Sequence, residues 1–379
     1  MSWQSVIGQQ RVKDLLARMV GSGRVPSALL FEGPEGVGKD AAAIELAKVL
    51  NCERGGTEAC GECSSCIQAA ALQHPNIQLV FPLPRGENET KDDGALAKLD
   101  EKTVRKVREE IHLKSLDPYH KISIPKAQVI KISSIREVIR EDSLSLYQHG
   151  RRVIIIMRAE EAGIESANAI LKVLEEPTPG TVFILTTSRR SSLLSTIISR
   201  CQPLRFDLLT ESEVTEALVT RYNLDPSDAA LKARLSGGSY IKAVDLIETD
   251  TLEVRDQALD VLREIAVGNY SQMAGRASRM LESRDPQKVE TLLRMLQIWL
   301  RDVAIVHNGA RDSVINRDKI DVLEKMEKSF NAASTVAASA SVDTALSQLD
   351  ANVNLGLLFV NLLLTLSGLL NKKSEAQHV

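Results

Sequence analysis

The chain has 379 residues, more than one ordinary hydrophobic core needs, so two or three domains are expected. Its formal net charge is only −3, which argues against a protein that coats a polyanion such as DNA. Aromatic residues make up 3% of the chain, and the abundance of aliphatic residues favours helices with a parallel sheet over a β-sandwich.

The first predicted elements are a helix, a strand, a glycine-rich turn and a second helix. The first helix is predicted over 11–20, and a buried strand over 28–31 runs directly into the turn. The turn fits G-x-x-x-x-G-K, a loop whose backbone amides and lysine hold phosphate groups, and the helix predicted over 40–50 is the context that such a loop requires. The residues of this candidate phosphate site are Gly33, Gly36, Gly38 and Lys39.

The loop lacks the side chains that complete a catalytic nucleotide site. Asp40 stands where Ser or Thr should follow the lysine, and that hydroxyl normally binds the Mg²⁺ that bridges nucleotide phosphates. The acidic residues expected at the end of the strand over 153–156 are replaced by Met157 and Arg158. We therefore predict a fold kept for assembly rather than for its own ATP hydrolysis, with phosphate held weakly or not at all.

Four of the five cysteines lie close together in the segment 52–66. The spacing C-x7-C-x2-C-x2-C allows four thiolates to surround one tetrahedral ion, and zinc is the expected metal. With no open position such a site is structural; redox or coincidental cysteines are the alternative. The predicted ligands are Cys52, Cys60, Cys63 and Cys66, whereas Cys201 is predicted to be a buried small hydrophobic residue.

Strands and helices continue to alternate through the first half of the chain. Further strands are predicted over 77–80, 153–157 and 182–185. Ser134 and Glu137 fit a capping box that opens a helix to about residue 141, and a helix over 164–175 is stopped by a proline. This order predicts an α/β domain with a mainly parallel sheet covered by helices on both faces.

The segment 83–127 interrupts this alternation as an insertion. Its charges alternate in sign and its middle, 101–113, can form a helix. We interpret it as a solvated surface excursion, with a contact to a partner or to DNA as the alternative.

Strand signals end near residue 208, and the rest of the chain has helical patterns with breaks at 237–238 and 268–269. Two all-α domains are predicted, over 209–267 and 268–372, with a tail over 373–379. The apolar stretch 355–370 contains Asn361 and is shorter than a membrane span, so a buried helix is expected. With no signal-peptide core at the start, we expect a cytoplasmic protein without membrane contact.

Together these motifs resemble the AAA+ clamp-loader subunits of bacterial DNA polymerase III, over nearly the whole chain apart from the insertion. The resemblance implies an AAA+ domain over 1–208, a helical lid over 209–267 and a helical collar over 268–372. The segments that carry it are Val6–Gln9, Gly33–Lys39, the cysteine segment, Ala167–Pro177, Ser199–Cys201 and Asn352–Asn354.

The resemblance also implies roles for two basic residues. The arginine of the family's Ser-Arg-Cys motif acts in trans on the γ-phosphate of ATP held by a neighbouring motor subunit, which assigns this role to Arg200. The alternative is an ordinary surface arginine at a helix end. Where the family has a sensor arginine, this chain has Lys242, which keeps the charge but loses the bidentate fork.

The leading hypothesis is therefore a non-hydrolysing stator subunit of the polymerase holoenzyme. The implied partners are motor (gamma/tau-like) and delta-like subunits in a hetero-oligomer, and through the complex a sliding clamp and primed DNA. One alternative is an active motor subunit that hydrolyses ATP itself, and another is a zinc-dependent DNA-binding module. Four arginines could contact DNA directly or form a solvated basic edge: Arg151, Arg152, Arg189 and Arg190.

Overall fold

The chain divides into two compact units, Met1–Val244 and Asp245–Val379. The computed structural model describes residues 2–90, 92–142, 150–247, 251–269, 271–273, 275, 286–349 and 354–371. The division falls inside the segment predicted as the lid, 209–267. The predicted tail and the Asn352–Val353 part of the family motif lie outside the described residues.

The first unit is built on a five-stranded sheet in which every pair of neighbouring strands is parallel. The order across the sheet is β2-β3-β4-β1-β5, so the strand that enters the glycine loop is flanked on both sides. The predicted strands are confirmed, and the fifth was missed. The strands are β1 Ala28–Glu32, β2 Ile77–Val80, β3 Arg152–Ile156, β4 Thr181–Thr187 and β5 Gln202–Arg205.

Helices cover both faces of this sheet, as the sequence predicts. Leu30, Ile154 and Phe183 lie in one buried cluster with Ile135 of α5 and Ile170 of α6. Side chains alternate along each strand, so the intervening residues face α2, which packs across β1, β3 and β4. The helices are α1 Gln10–Gly21, α2 Lys39–Leu50, α3 Ser64–Ala70, α4 Glu101–Leu116, α5 Ile132–Asp142, α6 Ile164–Glu175, α7 Ser195–Ile198, α8 Glu211–Tyr222, α9 Pro226–Ser236 and α10 Tyr240–Asp245.

The capping box predicted at Ser134 is wrong. α5 already begins at Ile132, so Ser134 lies inside the helix and is buried. The Glu137 carboxylate accepts a hydrogen bond from the backbone N–H of Ala95 at 3.0 Å rather than turning back on its own helix. A reciprocal capping box is formed instead at the start of α8, between Thr210 and Glu213.

The interpretation of 83–127 as a solvated excursion is wrong for its second half. Helix α4 buries Val107 and Lys114, and the segment after it buries Tyr119, Ile122 and Ile124. The charge alternation seen in the sequence describes the outer face of α4. Lys114 on its inner face is paired with Asp40, directly after the glycine loop, and this half of the insertion is part of the fold of the first unit.

The second unit is helical throughout its described residues. α12 lies at its centre and packs against α11, α13 and α14, and Trp299 of α12 is completely buried. α15 is the predicted apolar helix, with one face buried and Leu357 and Leu364 exposed on the other. No described helix is both long and apolar enough to cross a membrane. The helices are α11 Thr251–Val267, α12 Pro286–His307, α13 Ile320–Ser329, α14 Ala332–Leu349 and α15 Leu355–Leu370.

Candidate functional site

The glycine loop joins β1 to α2 and is packed against atoms of its own chain. Gly36 and Gly38 have φ values of 80° and 99°, a backbone region that side chains disfavour. The Gly36 carbonyl accepts a hydrogen bond from the backbone N–H of Tyr240 at 3.0 Å. A Cβ on Gly38 would lie 2.6 Å from the Tyr119 hydroxyl oxygen, so the insertion approaches this loop too closely for any other residue.

Lys39, the loop's lysine, is bound within the loop itself. Its side chain is buried, and its ammonium donates hydrogen bonds to the carbonyls of Gly33 at 2.8 Å and Pro34 at 2.5 Å. Burial lowers the pKa of Lys39, while Asp40 beside it works in the opposite direction. The Lys39 ammonium, which would hold a phosphate, is therefore hydrogen-bonded within the loop.

Asp40, which replaces the metal-binding hydroxyl, is paired with a lysine from the insertion. The Lys114 ammonium lies 3.1 Å from one Asp40 carboxylate oxygen and donates a second hydrogen bond to the His120 carbonyl at 2.8 Å. The Thr186 hydroxyl donates to the other Asp40 oxygen at 2.8 Å. Both carboxylate oxygens thus have internal partners, and an ammonium group lies against the carboxylate that could have met a metal ion.

Burial alone would raise the pKa of the Asp40 carboxyl. The Lys114 ammonium, the Thr186 hydroxyl and the more distant Lys39 outweigh that effect and hold the pKa below its ordinary value of 3.8. Asp40 is therefore a carboxylate at neutral pH. Lys114 has only 2% of its side chain exposed and Asp40 has 30%, so the ion pair is screened by water from one side only.

The insertion covers the loop at further points. Lys121 forms an ion pair with Glu35 of the loop at 2.6 Å, and the Tyr119 hydroxyl accepts a hydrogen bond from the backbone N–H of Ile7 at 2.8 Å. A cavity of about 450 Å³ remains between the loop, the insertion and the ends of β3 and β4. Its charged lining residues are Lys39, Lys114, Lys121, Arg158, Arg189, Glu35, Asp40, Glu160 and Glu161.

Glu160 and Glu161 come after the strand end where the sequence has Met157 and Arg158, yet both line this cavity. A short helical turn over Ala159–Glu161, entered through Arg158 at a φ of 53°, brings them back to it. Glu160 accepts hydrogen bonds from the Ser188 backbone N–H at 3.0 Å and its hydroxyl at 2.8 Å. These bonds fix Glu160 in the cavity wall, next to the end of β4.

The structure does not bring Lys242 to the cavity. Its neighbour Ile241 lines the wall, whereas Lys242 is exposed on α10. Arg200 is separate from the cavity as well, immediately after α7. Cys201 beside it is buried, and burial raises the pKa of its thiol to about 11, which confirms the prediction of a small hydrophobic residue.

Arg200 is held by its own chain but keeps 35% of its side chain exposed. One terminal nitrogen lies 2.7 Å from the Glu175 carboxylate at the end of α6. The other donates to the Thr196 carbonyl at 3.1 Å and to the Ser199 hydroxyl at 3.4 Å. The structure thus joins two motifs of the sequence, the end of Ala167–Pro177 and Ser199–Cys201.

The four predicted zinc ligands meet at one point. Their sulfur atoms all lie within 4.8 Å of one another, whereas four thiolates on a zinc ion at about 2.3 Å stand about 3.8 Å apart. Backbone N–H groups point at three of the sulfurs at 3.4 Å, which supports thiolate charge: Cys60 to Cys52, Cys63 to Cys60 and Cys66 to Cys63. The donor set therefore fits a closed tetrahedral zinc site.

The thiols of this cluster differ strongly in acidity. The backbone N–H groups of Glu62 and Cys63 lower the pKa of Cys60 to about 6, and burial raises that of Cys66 to about 12. Four thiolates at such short distances repel one another, so they ionise together only around a cation.

Of the four arginines predicted either to contact DNA or to form a solvated basic edge, three are bonded to other residues of the chain. Arg152 is buried and donates to the Glu141 carbonyl, so a direct DNA contact by this residue is ruled out. Arg190 is paired with both carboxylate oxygens of Glu32 at 2.6 and 2.7 Å. Arg151 donates to the Gly23 carbonyl at 3.5 Å, and Arg189 lines the cavity.

The lowered pKa of Asp40 predicts a dependence of stability on pH. The contribution of the Asp40 carboxylate is fully present above its ordinary pKa and is lost as pH falls through the lower pKa of the folded state. We expect the stability advantage of the wild type over Asp40→Asn to shrink below about pH 4. Urea unfolding followed by Trp3 fluorescence in a Trp299→Phe background checks this, because the chain has two tryptophans.

Asp14→Asn, at an exposed position on α1, is the matched control for that experiment. If the difference in unfolding free energy between the wild type and Asp40→Asn is the same at pH 5 and at pH 3, the charge of the Asp40 carboxylate does not contribute to stability.

Two family models match this chain, one on each side of residue 250. Residues 8–210 match DNA polymerase III, delta subunit, and residues 250–368 match DNA polymerase III, delta subunit, C terminal. Among solved structures, a gamma subunit-related protein of Thermotoga maritima covers 93% of this chain and 98% of its own at 14% identity and a TM-score of 0.42, a loose similarity.

Curated relatives are similar over long stretches. The chain is 28% identical over 373 residues to DNA polymerase III subunit delta' of Bacillus subtilis, covering 97% of this chain and 98% of that protein. It is 28% identical over 253 residues to subunit delta' of Pseudomonas aeruginosa, covering 66% and 65%. It is 27% identical over 307 residues to subunit tau of Bacillus subtilis, covering 78% and 46%.

The resemblance of the sequence to the DNA polymerase III subunits is thereby confirmed. The first family model spans more than half of the chain, and the second covers most of the helical unit. The chain belongs to the DNA polymerase III delta subunit family.

Proposed function

We propose that this chain is a delta-prime-type stator of the bacterial clamp loader, a subunit that takes part in ATP-driven loading of a sliding clamp without hydrolysing ATP itself. Its own nucleotide site is closed by the insertion, and its contribution to catalysis is Arg200, supplied to a neighbouring motor subunit. The collar helices join it to that assembly. The zinc ion is structural.

The Asp40–Lys114 ion pair is the observation that carries the first part of this proposal. A nucleotide site needs a cation that bridges phosphate oxygens, held by a hydroxyl next to the loop lysine. Here the Lys114 ammonium is paired with the Asp40 carboxylate, which replaces this hydroxyl, and the Lys39 ammonium donates hydrogen bonds to loop carbonyls. Binding of a magnesium nucleotide would have to break both sets of contacts, so we propose that the site is empty or only weakly occupied.

The position of Arg200 supports the second part. The residue follows a short surface helix and keeps a third of its side chain exposed, so a neighbouring subunit can reach it. A planar guanidinium stabilises the charge that spreads over the oxygens of a transferring phosphoryl group. The partners that fit are the gamma/tau subunits named among the relatives, with a delta-like subunit, the clamp and primed DNA reached through the complex.

Replacing Arg200 by alanine tests the proposal. In a loader reconstituted with its motor and delta-like subunits, we expect DNA- and clamp-stimulated ATP turnover to fall at least fivefold while the complex still assembles. Turnover rates and the assembled mass of the complex are the measurements.

Arg205→Ala is the matched control, because Arg205 is also exposed and paired with a single carboxylate, that of Asp207. Unchanged turnover with Arg200→Ala would make Ser199–Cys201 a structural motif in this chain. Magnesium-dependent ATP turnover by the isolated chain would instead favour an active motor subunit.

A further inference from the structure

The acidic residue that meets Arg200 has no structural reason to lie where it does. Glu175 occupies the last position of α6, where the helix dipole disfavours negative charge. Arg200 is about one third exposed and Glu175 is half-exposed, and an ion pair so open to water stabilises a fold only slightly. Neither the helix nor the fold of the unit therefore explains the carboxylate.

The contacts of Arg200 leave one part of its guanidinium unoccupied by any described residue. The group has five N–H donors. Nη1 donates to the Thr196 carbonyl and the Ser199 hydroxyl, and Nη2 lies against Glu175, so the Nε–H and one N–H of Nη2 remain without an acceptor among the described residues. Two donors of one planar guanidinium are what a bidentate contact with phosphate oxygens requires.

We propose that Glu175 is a positioning residue for Arg200: its carboxylate fixes the guanidinium so that the two remaining N–H donors face a nucleotide bound by the neighbouring subunit. The proposal rests on the function proposed for Arg200. An arginine side chain has many rotamers, and its own segment holds Arg200 only through the Thr196 carbonyl of α7 and the Ser199 hydroxyl, both on one terminal nitrogen. The second contact, from Glu175 of α6, fixes the orientation of the guanidinium plane. Preorganisation of this kind speeds the chemical step.

Glu175→Gln tests this role because it removes the charge and keeps the shape. In the reconstituted loader we expect kcat for ATP to fall about fivefold, with the KM for ATP, the assembly of the complex and the melting temperature of the chain unchanged. Glu176→Gln is the matched control: Glu176 is the next residue, is also exposed, and its carboxylate forms no hydrogen bond or ion pair with a described residue. We expect it to leave kcat unchanged.

A double-mutant cycle separates positioning from an independent effect. Because Glu175 acts through Arg200, the double variant Glu175→Gln/Arg200→Ala should be no slower than Arg200→Ala alone. A further loss in the double variant, an increase of kcat in Glu175→Gln, or equal rates for Glu175→Gln and Glu176→Gln would each overturn the proposal. If Arg200→Ala has no effect on turnover, the function proposed for Arg200 is wrong. If Arg200→Ala slows turnover but Glu175→Gln does not, only the role proposed for Glu175 is wrong.

Discussion

Replacing Lys114 by methionine is expected to lower the free energy of unfolding of the first unit by about 2–3 kcal/mol. The change leaves the Asp40 carboxylate without its closest cation in a largely buried place, and removing one partner of a buried ion pair is strongly destabilising. The value is below the loss of about 3–5 kcal/mol that is typical of fully buried pairs, because 30% of the Asp40 side chain is exposed and Lys39 is close by. Urea unfolding followed by Trp3 fluorescence in the Trp299→Phe background measures it.

Two further variants make this result interpretable. Lys102→Met alters an exposed lysine on the same helix and should change stability by less than about 0.5 kcal/mol, because methionine and lysine are similarly good helix formers. Asp40→Asn/Lys114→Met removes both charges, so we expect it to be more stable than the sum of the two single losses predicts. A Lys114→Met chain as stable as Lys102→Met would mean that the insertion does not hold the glycine loop through this ion pair.

Removal of the zinc ion proposed for the cysteine cluster should have the other large effect. Chelation, or Cys66→Ser, leaves clustered thiols without the cation that neutralises them, and metal affinity is coupled directly to folding stability. A loss of about 4 kcal/mol would lower the melting temperature of the first unit by about 10 °C. The Trp3 indole donates a hydrogen bond to the Thr57 carbonyl at 3.2 Å, inside the cysteine segment, so its fluorescence should change on chelation.

Metal analysis should find one zinc per wild-type chain and none in Cys66→Ser. Cys201→Ala is the control, because that thiol lies outside the cluster and its loss should leave the zinc content at one. DNA binding that persists after chelation would eliminate the zinc-dependent DNA-binding alternative. A melting temperature that does not respond to chelation would contradict a structural role for the metal.

The sequence predicted the parts of this fold whose signals are local. α6 has the predicted bounds because Pro177 ends it, and the four cysteines converge because their spacing alone restricts them to one place. β5 was missed because Gln202–Arg205 has a single buried residue, Leu204, and shows no apolar alternation at the edge of the sheet.

The state of the candidate nucleotide site required long-range information. Lys114 and Asp40 are 74 residues apart, and no pattern in the insertion indicates that its lysine turns toward the loop. The alternating charges of α4 are equally typical of a fully solvated helix, and it is the buried Val107 and Lys114 that distinguish the two cases. Loss of catalysis is therefore a prediction that Asp40 and Met157 make locally, whereas the Asp40–Lys114 ion pair could not be predicted from the sequence.

The contacts around Tyr240 have a consequence for motion within the first unit. Tyr240 opens α10 and bonds to Gly36 of the loop, and the Arg221 guanidinium lies 5.3 Å from its ring centre and 5.4 Å from that of Tyr119. Arg221 also donates to the Ser5 carbonyl at 2.8 Å. Swinging α8 and α9 away from the sheet would therefore break contacts with the loop, the insertion and the N-terminal segment at the same time, which raises the free energy of such a motion.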